Sequence, residues 1–351
     1  MKGVCFESVG QVACRDLAEP SVQSSRDAVV EVSIAGLCGS DLHPFFGREV
    51  GLDPGTVMGH ELVGRLVELG DQVKTSGWSE GDRVSIPFSS NCGDCFYCNQ
   101  GLTSRCTQGQ LFGWLQDGAG LDGCQSRFVR IPLADATLSR VPDTVSDVAA
   151  LLLGDNYSTG YFCAEMGEIK SEAVYVVIGC GTVGLMCVMS ALHMKAGKVF
   201  AIDPVDSRRD QAQALGAISL APGESALAEI RKATQGRGAD SVMELVGLPE
   251  AQSFAYQAIR PGGIMSVIGC HCTPHFSFSP VDAYDKNLTY KTGRCPARSY
   301  MDRLTDLVAA GQFDLDPFVT HRFQVDECVK AYDVFSNRKD GCVKAVVDFT
   351  L

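Results

Sequence analysis

The sequence predicts an α/β protein with two domains, one β-rich and one built on a doubly wound parallel sheet. The chain has 351 residues, more than one hydrophobic core usually accommodates. Its first part has short strand-like runs separated by Gly and Pro, whereas strand-like and helix-like segments alternate after Ala173. Such alternation is typical of a parallel sheet with helices on both faces.

The first part combines strand patterns with one long helical pattern. The strand-like segments are 28–35, 57–67 and 83–88, with apolar alternation or β-branched runs bounded by turn residues. Residues 144–165 have helical spacing of apolar positions, and Asp143 is the expected N-cap.

The second part alternates regularly. The predicted strands are 174–178, 198–202, 240–245, 263–268 and 288–292, and the predicted helices are 182–194, 207–215, 225–234 and 249–259. The last fifty residues predict a helix at 301–309, a strand near Phe323, a helix at 326–337 and a strand at 343–349. We expect this final segment to return to the first domain.

Net charge and cysteine content limit the kinds of partner and the cellular location that the sequence predicts. The formal net charge of -12 argues against nucleic acid and anionic membrane surfaces. Residues 173–194 are apolar and long enough to span a bilayer, but three glycines divide them into a strand and a helix. Sixteen cysteines occur without a secretory signal pattern, which favours metal binding and a cytoplasmic location over disulfides.

A dinucleotide-binding pattern follows the first strand of the second part. Gly179, Gly181 and Gly184 form Gly-x-Gly-x-x-Gly at the start of a helix, with Thr182 and Val183 between the last two. In this context the glycines permit a tight turn, close approach of a pyrophosphate and close helix–strand packing. A nucleotide-free α/β domain is the alternative.

Asp203 indicates which dinucleotide binds. It ends the next strand, nineteen residues after Gly184, where a carboxylate accepts hydrogen bonds from the ribose hydroxyls and repels a 2′-phosphate. NAD is therefore favoured over NADP, although Arg208 and Arg209 nearby are able to pair with a phosphate.

Four cysteines form the most specific local motif. Their spacing is Cys-x-x-Cys-x-x-Cys followed by a fourth after seven residues, at Cys92, Cys95, Cys98 and Cys106. Four thiolates at such spacing surround a structural zinc ion and leave no open ligand position. Disulfides and an iron–sulfur cluster are the alternatives, the first disfavoured by compartment and the second by spacing.

A second candidate metal centre lies earlier in the chain. Cys38 and His60 are each close to a carboxylate, that of Asp41 or Glu61, and Ser40 and His43 add a hydroxyl and a second imidazole. Thiolate and imidazole suit zinc, and two ligands leave room for a third and for an open position. The alternative is a buried cysteine and an ordinary histidine in a Gly-rich turn.

The remaining His and Cys residues have no clear motif. His271, His275 and His321 receive no predicted role, and His193 is expected in the core. The other cysteines are predicted to be small buried apolar residues. For Cys270 and Cys272, beside His271, metal binding is an alternative, and a turn after a buried strand is favoured over it.

Taken together, these motifs resemble the zinc-dependent medium-chain alcohol dehydrogenases over almost the whole chain. The matching stretches are 36–43, 59–61, the four-cysteine segment, 154–161 and the glycine motif with Asp203. Residues 282–289 and 293–299 are most similar to the shorter branch related to formaldehyde dehydrogenases. The resemblance implies a GroES-like catalytic domain over 1–153 with a structural zinc lobe at 91–107, a Rossmann domain over 154–296, and a return segment over 297–351.

The resemblance also implies the site residues. Cys38, His60 and Asp155 would bind a catalytic zinc, with Asp155 standing where many members have a second cysteine. Glu61 would lie behind the metal and exchange onto it, and Thr159 would contact the coenzyme. Two zinc ions per chain are therefore expected.

The implied reaction is reversible hydride transfer from an alcohol to NAD, giving an aldehyde or ketone. Its proton would leave through Ser40 and the coenzyme ribose to His43. A homotetramer is expected, with a homodimer as the alternative. Other readings are a dehydrogenase of formaldehyde–glutathione adducts or polyols, a zinc-free quinone reductase, and a non-catalytic zinc and nucleotide-binding protein.

Overall fold

The computed structural model describes residues 1–351 and divides into two compact units. One unit comprises Met1–Ser158 and Pro296–Leu351, and the other comprises Thr159–Cys295. The strands are β1 (Lys2–Ser8), β2 (Gln11–Asp16), β3 (Ala28–Gly36), β4 (Leu62–Leu69), β5 (Arg83–Ser85), β6 (Trp114–Gln116), β7 (Ala119–Leu121), β8 (Phe128–Ile131), β9 (Ser139–Arg140), β10 (Val174–Ile178), β11 (Lys198–Ile202), β12 (Ile218–Leu220), β13 (Ala239–Glu244), β14 (Ile259–Val267), β15 (Thr289–Thr292), β16 (Val319–Phe323) and β17 (Lys344–Asp348).

The α-helices follow the same numbering by chain order. They are α1 (Leu42–Phe45), α2 (Asp71–Thr75), α3 (Phe96–Asn99), α4 (Ala134–Thr137), α5 (Asp147–Leu153), α6 (Asn156–Met166), α7 (Thr182–His193), α8 (Asp206–Ala214), α9 (Glu224–Ala233), α10 (Pro249–Ala258), α11 (Pro280–Asp285), α12 (Ala297–Ala309) and α13 (Cys328–Ser336). None of these helices has the length and apolar character needed to cross a membrane.

The first unit is built on a seven-stranded sheet. Its strand order is β16-β17-β3-β4-β5-β9, and β8 also pairs with β3. All pairs are antiparallel except β16 with β17. Every residue of β17 is buried, as expected for a strand inside a sheet that is covered on both faces. The C-terminal strand thus lies beside β3, immediately before the segment that contains Cys38.

The second unit is a six-stranded parallel sheet. Its order is β12-β11-β10-β13-β14-β15, and each neighbouring pair is parallel. The strand order reverses between β10 and β13, which is the position where doubly wound sheets bind ligands at the carboxyl ends of their strands. The predicted α/β class with a doubly wound parallel sheet is confirmed.

The largest difference from the sequence prediction concerns the helix at 144–165. The structure has two helices, α5 and α6, separated at Gly154 and Asp155. The N-cap of α5 is Ser146, whose Oγ accepts a hydrogen bond from the Ala149 N–H at 3.0 Å, so the prediction of Asp143 is wrong. A turn closed by a hydrogen bond from Val145 N–H to the Pro142 carbonyl occupies the predicted first turn.

Two further predictions are wrong in detail. Cys270 and Cys272 are exposed, because they lie in the loop after β14 and outside the sheet. His193 is the last residue of α7 and is partly exposed. The N-terminal hairpin of β1 and β2 is a further element that was not predicted.

Candidate active site and metal centres

Four potential ligands converge in the first unit. Cys38 follows β3, His60 and Glu61 precede β4, and Asp155 lies between α5 and α6. One ligand atom from each lies within 4.8 Å of the others. Cys38 Sγ is 3.3 Å and His60 Nε2 is 3.4 Å from the same oxygen, Asp155 Oδ2. The three predicted catalytic-zinc ligands are therefore brought together.

Asp41 fixes two of these ligands. Its Oδ1 is 3.1 Å from His60 Nδ1, and its Oδ2 accepts a hydrogen bond from the Cys38 N–H at 2.8 Å. This contact leaves His60 Nε2 facing Cys38 and Asp155, since a carboxylate on one ring nitrogen sets the tautomer that presents the other.

Two residues that the sequence analysis missed support this arrangement from behind. Tyr332 OH donates to Gln125 Oε1 at 3.0 Å, and Gln125 Nε2 donates to the Gly36 carbonyl at 3.0 Å. Both side chains are buried. They come from distant parts of the sequence, so no local spacing indicates their role.

The electrostatics of the cluster suit a cation. Burial raises the pKa of the Cys38 thiol, and the Asp155 charge raises it further. Burial opposes protonation of His60, but Asp41 and hydrogen bonds to Asp155 and Cys38 outweigh it and raise its pKa well above the usual value. A thiolate, an imidazole and a carboxylate that converge on one point form a donor set that fits zinc.

Glu61 is held by a buried lysine that the sequence analysis did not identify. Lys344 Nζ on β17 lies 2.7 Å from Glu61 Oε1 and 2.5 Å from Oε2. Their side chains are 1% and 0% exposed. Burial opposes the charge on Lys344, but Glu61, Cys38 and Asp155 together outweigh it and raise the pKa of the ammonium. Burial also raises the pKa of Glu61, against the opposing effect of Lys344, and the short contacts are those of a buried salt bridge.

The surroundings of Glu61 are equally restricted. Asn156 Nδ2 donates to Glu61 Oε1 at 2.9 Å and lies 3.3 Å from Asp155 Oδ2. A Cβ atom on Gly36 would lie 1.8 Å from Glu61 Oε2. Only glycine at position 36 leaves space for this carboxylate.

Ser40 and His43 lie on the short helical segment after Cys38. Ser40 Oγ is 3.2 Å from both Cys38 Sγ and His60 Nε2, so its hydroxyl lies on the candidate metal site. His43 lies in α1, and burial lowers the pKa of its imidazole. A neutral imidazole is a proton acceptor at neutral pH.

The four-cysteine lobe forms a second sulfur-lined site. The four Sγ atoms lie within 4.8 Å of one another; they belong to Cys92, Cys95, Cys98 and Cys106. Backbone N–H groups of Cys98 and Thr107 lower the pKa of Cys95 to about 6, which favours the thiolate that a metal binds. Phe96 on the lobe is 71% exposed, so apolar packing is a weak constraint here. The donor set fits a closed zinc site.

The glycine motif in the second unit has the shape of a phosphate-binding turn. Gly179 has φ of +91°, and a Cβ on Gly184 would lie 1.7 Å from the Gly179 carbonyl oxygen. Gly181 is the N-cap of α7 and offers no side-chain cap, so the N–H groups of the first turn, at Thr182 and Val183, face outward. This cradle fits a pyrophosphate.

Asp203 lies beside that turn. Its Oδ2 accepts from the Cys180 N–H and its Oδ1 from the Val205 N–H, each at 2.8 Å. Arg208 Nη1 is 3.9 Å from Asp203 Oδ2, whereas Arg209 pairs with Asp206 and donates to the Asp203 carbonyl. Arg208 is therefore the better placed of the two arginines for a phosphate. Thr159, also predicted at the coenzyme, is a buried residue of α6.

Comparisons with known proteins agree with this geometry. Residues 24–143 match the family described as alcohol dehydrogenase GroES-like domain, and residues 182–310 match the family described as zinc-binding dehydrogenase. Zinc-type alcohol dehydrogenase B of Aspergillus flavus is 38% identical over 97% of this chain and 79% of its own length. The NADP-dependent isopropanol dehydrogenase of Thermoanaerobacter brockii is 29% identical over 99% of both chains.

A solved structure gives the same result. Alcohol dehydrogenase TADH from Thermus sp. ATN1 superimposes with a TM-score of 0.93 at 32% identity, covering 99% of each chain. The chain belongs to the zinc-dependent medium-chain alcohol dehydrogenases. It is a zinc-dependent oxidoreductase of small-molecule alcohols that uses a nicotinamide cofactor, with the predicted GroES-like and Rossmann folds. The branch related to formaldehyde dehydrogenases stays a prediction.

Proposed function

We propose that this protein reversibly oxidises an alcohol to an aldehyde or ketone with NAD, at a zinc ion bound by Cys38, His60 and Asp155. The convergence of these three ligand atoms with the Ser40 hydroxyl carries the proposal. We assign this chemistry to residues 1–153 with the return segment 297–351, and coenzyme binding to residues 154–296.

The metal would supply Lewis acidity, since zinc lowers the pKa of a hydroxyl group as it lowers that of water, from about 15.7 to about 7. The protein's own groups position and move the proton. Ser40 Oγ, on the ligand cluster, would accept this proton as its own hydroxyl proton leaves, and the His43 imidazole would be the general base that finally holds the proton. Asp41 holds His60 in the ligand tautomer.

NAD is the proposed coenzyme. Asp203 is 3% exposed and directly follows β11, where a carboxylate would repel a 2′-phosphate. Arg208 is able to pair with a 2′-phosphate, and one relative is NADP-dependent, so the two coenzymes are to be compared directly. We expect kcat/KM with NAD to exceed that with NADP, and an equal or reversed preference would contradict the assignment.

Two zinc ions per chain are proposed, one catalytic and one in the four-cysteine lobe.

We further propose a homo-oligomer, with a tetramer expected and a dimer as the alternative. In its favour, β15 is an edge strand, and Val281, Tyr284 and Phe276 nearby in sequence are 65%, 82% and 60% exposed. Exposed apolar groups at a sheet edge favour pairing with another chain. The cytoplasmic location stays a prediction.

The deciding experiment assays purified protein with primary, secondary, aromatic, polyol and glutathione-adduct alcohols, with metal content measured in parallel. Turnover of one alcohol class with NAD, lost in Cys38→Ser together with one zinc ion, is the expected result. Full zinc and NAD binding without turnover of any alcohol would instead favour a non-catalytic binding protein.

A further inference from the structure

A buried carboxylate–imidazole pair lies at the carboxyl edge of the Rossmann sheet, outside the roles assigned so far. Glu244 is the last residue of β13 and is fully buried. His271 follows β14, and its Nε2 is 2.9 Å from Glu244 Oε2. The imidazole is 17% exposed, so part of the ring is accessible to a ligand.

Glu244 is fixed by the backbone around it. Its Oε1 accepts from the N–H groups of Val246 and Gly247 at 2.7 and 2.8 Å. Its carbonyl accepts from the N–H groups of Ile268 and Gly269 at 2.9 and 3.0 Å. The loops after β13 and β14 are thereby joined through one residue.

These two loops are packed backbone against backbone. Gly247 has φ of +80°, and a Cβ there would lie 2.5 Å from the Cys270 carbonyl oxygen. A Cβ on Gly269 would lie 2.2 Å from the Gly247 nitrogen. Close packing of this kind holds the His271 backbone in one place and gives its side chain a defined direction.

The pair is placed where the coenzyme crosses the sheet. Glu244 is the register partner of Ile178 on β10, the residue before the Gly179 turn, and the strand order reverses between β10 and β13. Asp203 marks the β10–β12 half as the side that takes the adenosine ribose. The β13–β15 half is then the side that takes the nicotinamide nucleoside.

We propose that His271 contacts the nicotinamide nucleoside of the bound coenzyme through Nδ1, and that Glu244 is the residue that positions its ring. The tautomer that fits this contact carries its proton on Nε2, toward the carboxylate, and presents Nδ1 as a hydrogen-bond acceptor. A ribose hydroxyl and a carboxamide N–H are both suitable donors. This inference rests on the proposed nicotinamide-dependent function.

Two variants separate a coenzyme contact from a purely structural role. In His271→Gln the amide reaches the Nε2 position, which keeps the Glu244 contact and removes the Nδ1 acceptor. In His271→Asn the amide occupies the Nδ1 position, which keeps a polar group there and removes the Glu244 contact. Dissociation constants are measured for NADH, ADP-ribose and ADP with the full-length, zinc-loaded protein, and thermal stability is measured without ligand.

We expect His271→Gln to keep the wild-type melting temperature and ADP affinity and to raise the NADH dissociation constant about twofold to tenfold, the loss of one hydrogen bond. A parallel loss for ADP-ribose assigns the contact to the ribose, and a loss for NADH alone assigns it to the carboxamide. His271→Asn should melt lower and bind NADH more tightly than His271→Gln.

Wild-type NADH affinity in His271→Gln, or an equal loss of ADP affinity, would overturn the inference. Failure of the wild-type protein to bind NADH or NADPH while it binds ADP would instead overturn the proposed function. The two failures are therefore distinguishable.

Discussion

Replacing Lys344 by methionine tests the buried ion pair behind the catalytic cluster. Methionine has a similar unbranched shape and no charge, so the change leaves Glu61 buried without its cation. Both side chains are almost fully inaccessible to solvent. Breaking such a pair from one side leaves an uncompensated charge, and we expect the free energy of unfolding to fall by about 3–5 kcal/mol.

A double-mutant cycle identifies the cause. Glu61→Gln removes the charge and keeps an acceptor for Asn156, so the Lys344→Met/Glu61→Gln protein should recover more than half of the loss. Lys330→Met is the matched control, because Lys330 pairs with Glu327 at 3.1 Å but is 65% exposed. Such exposed pairs contribute about 0–1 kcal/mol.

The assay is denaturant unfolding at one fixed zinc concentration, since a bound metal shifts apparent stability. Because Glu61 and the other nearby acidic groups raise the pKa of Lys344 above its unfolded value, the contribution of the ammonium to stability is present at neutral pH and is lost as the pH rises above about 10.4 and through the raised value. A loss below about 1 kcal/mol in Lys344→Met, or no recovery in the double variant, would refute the reasoning.

Three further predictions concern the other sites. Cys98→Ser should lose one zinc ion per chain, measured by elemental analysis, and should have a lower melting temperature because the lobe depends on its metal. Unchanged zinc content would contradict the structural-zinc assignment. His43→Gln should flatten the low-pH limb of the kcat/KM profile. Because burial lowers the pKa of His43, we expect this limb below about pH 6.5 in the wild-type protein. An unchanged profile in the variant would exclude His43 as the general base. Gly184→Ala should weaken NADH binding by about 1–3 kcal/mol, measured by fluorescence titration, because the added Cβ would lie 1.7 Å from the Gly179 carbonyl oxygen. Wild-type affinity would show that the turn adapts to the side chain. Gly293→Ala is the control, since nothing lies within 4 Å of its Cβ position.

Local spacing determined much of what could be predicted. The glycine turn, the acidic residue after the next strand and the four cysteines are short-range patterns, and their geometry follows from a few backbone angles and a small ligand sphere. The strands of the parallel sheet were also predictable, because β10 is a continuous buried run and β11 is one after its first residue, Lys198. Helix boundaries were less predictable. Asp143 and Ser146 are both suitable N-cap residues, and only the folded structure shows that Ser146 is the one used.

Tertiary structure alone decided the pairs that join distant segments. The sequence determined that Cys38, His60 and Glu61 are close together, but spacing did not identify Asp155, which came from family resemblance. Lys344 is 283 residues from Glu61, and a lysine is ordinarily exposed. Only the register of β17 against β3 places its ammonium beside that carboxylate. His271 reaches Glu244 in the same way, through the pairing of β13 with β14, because contacts across a sheet depend on strand order and register and leave no periodic signal in the sequence.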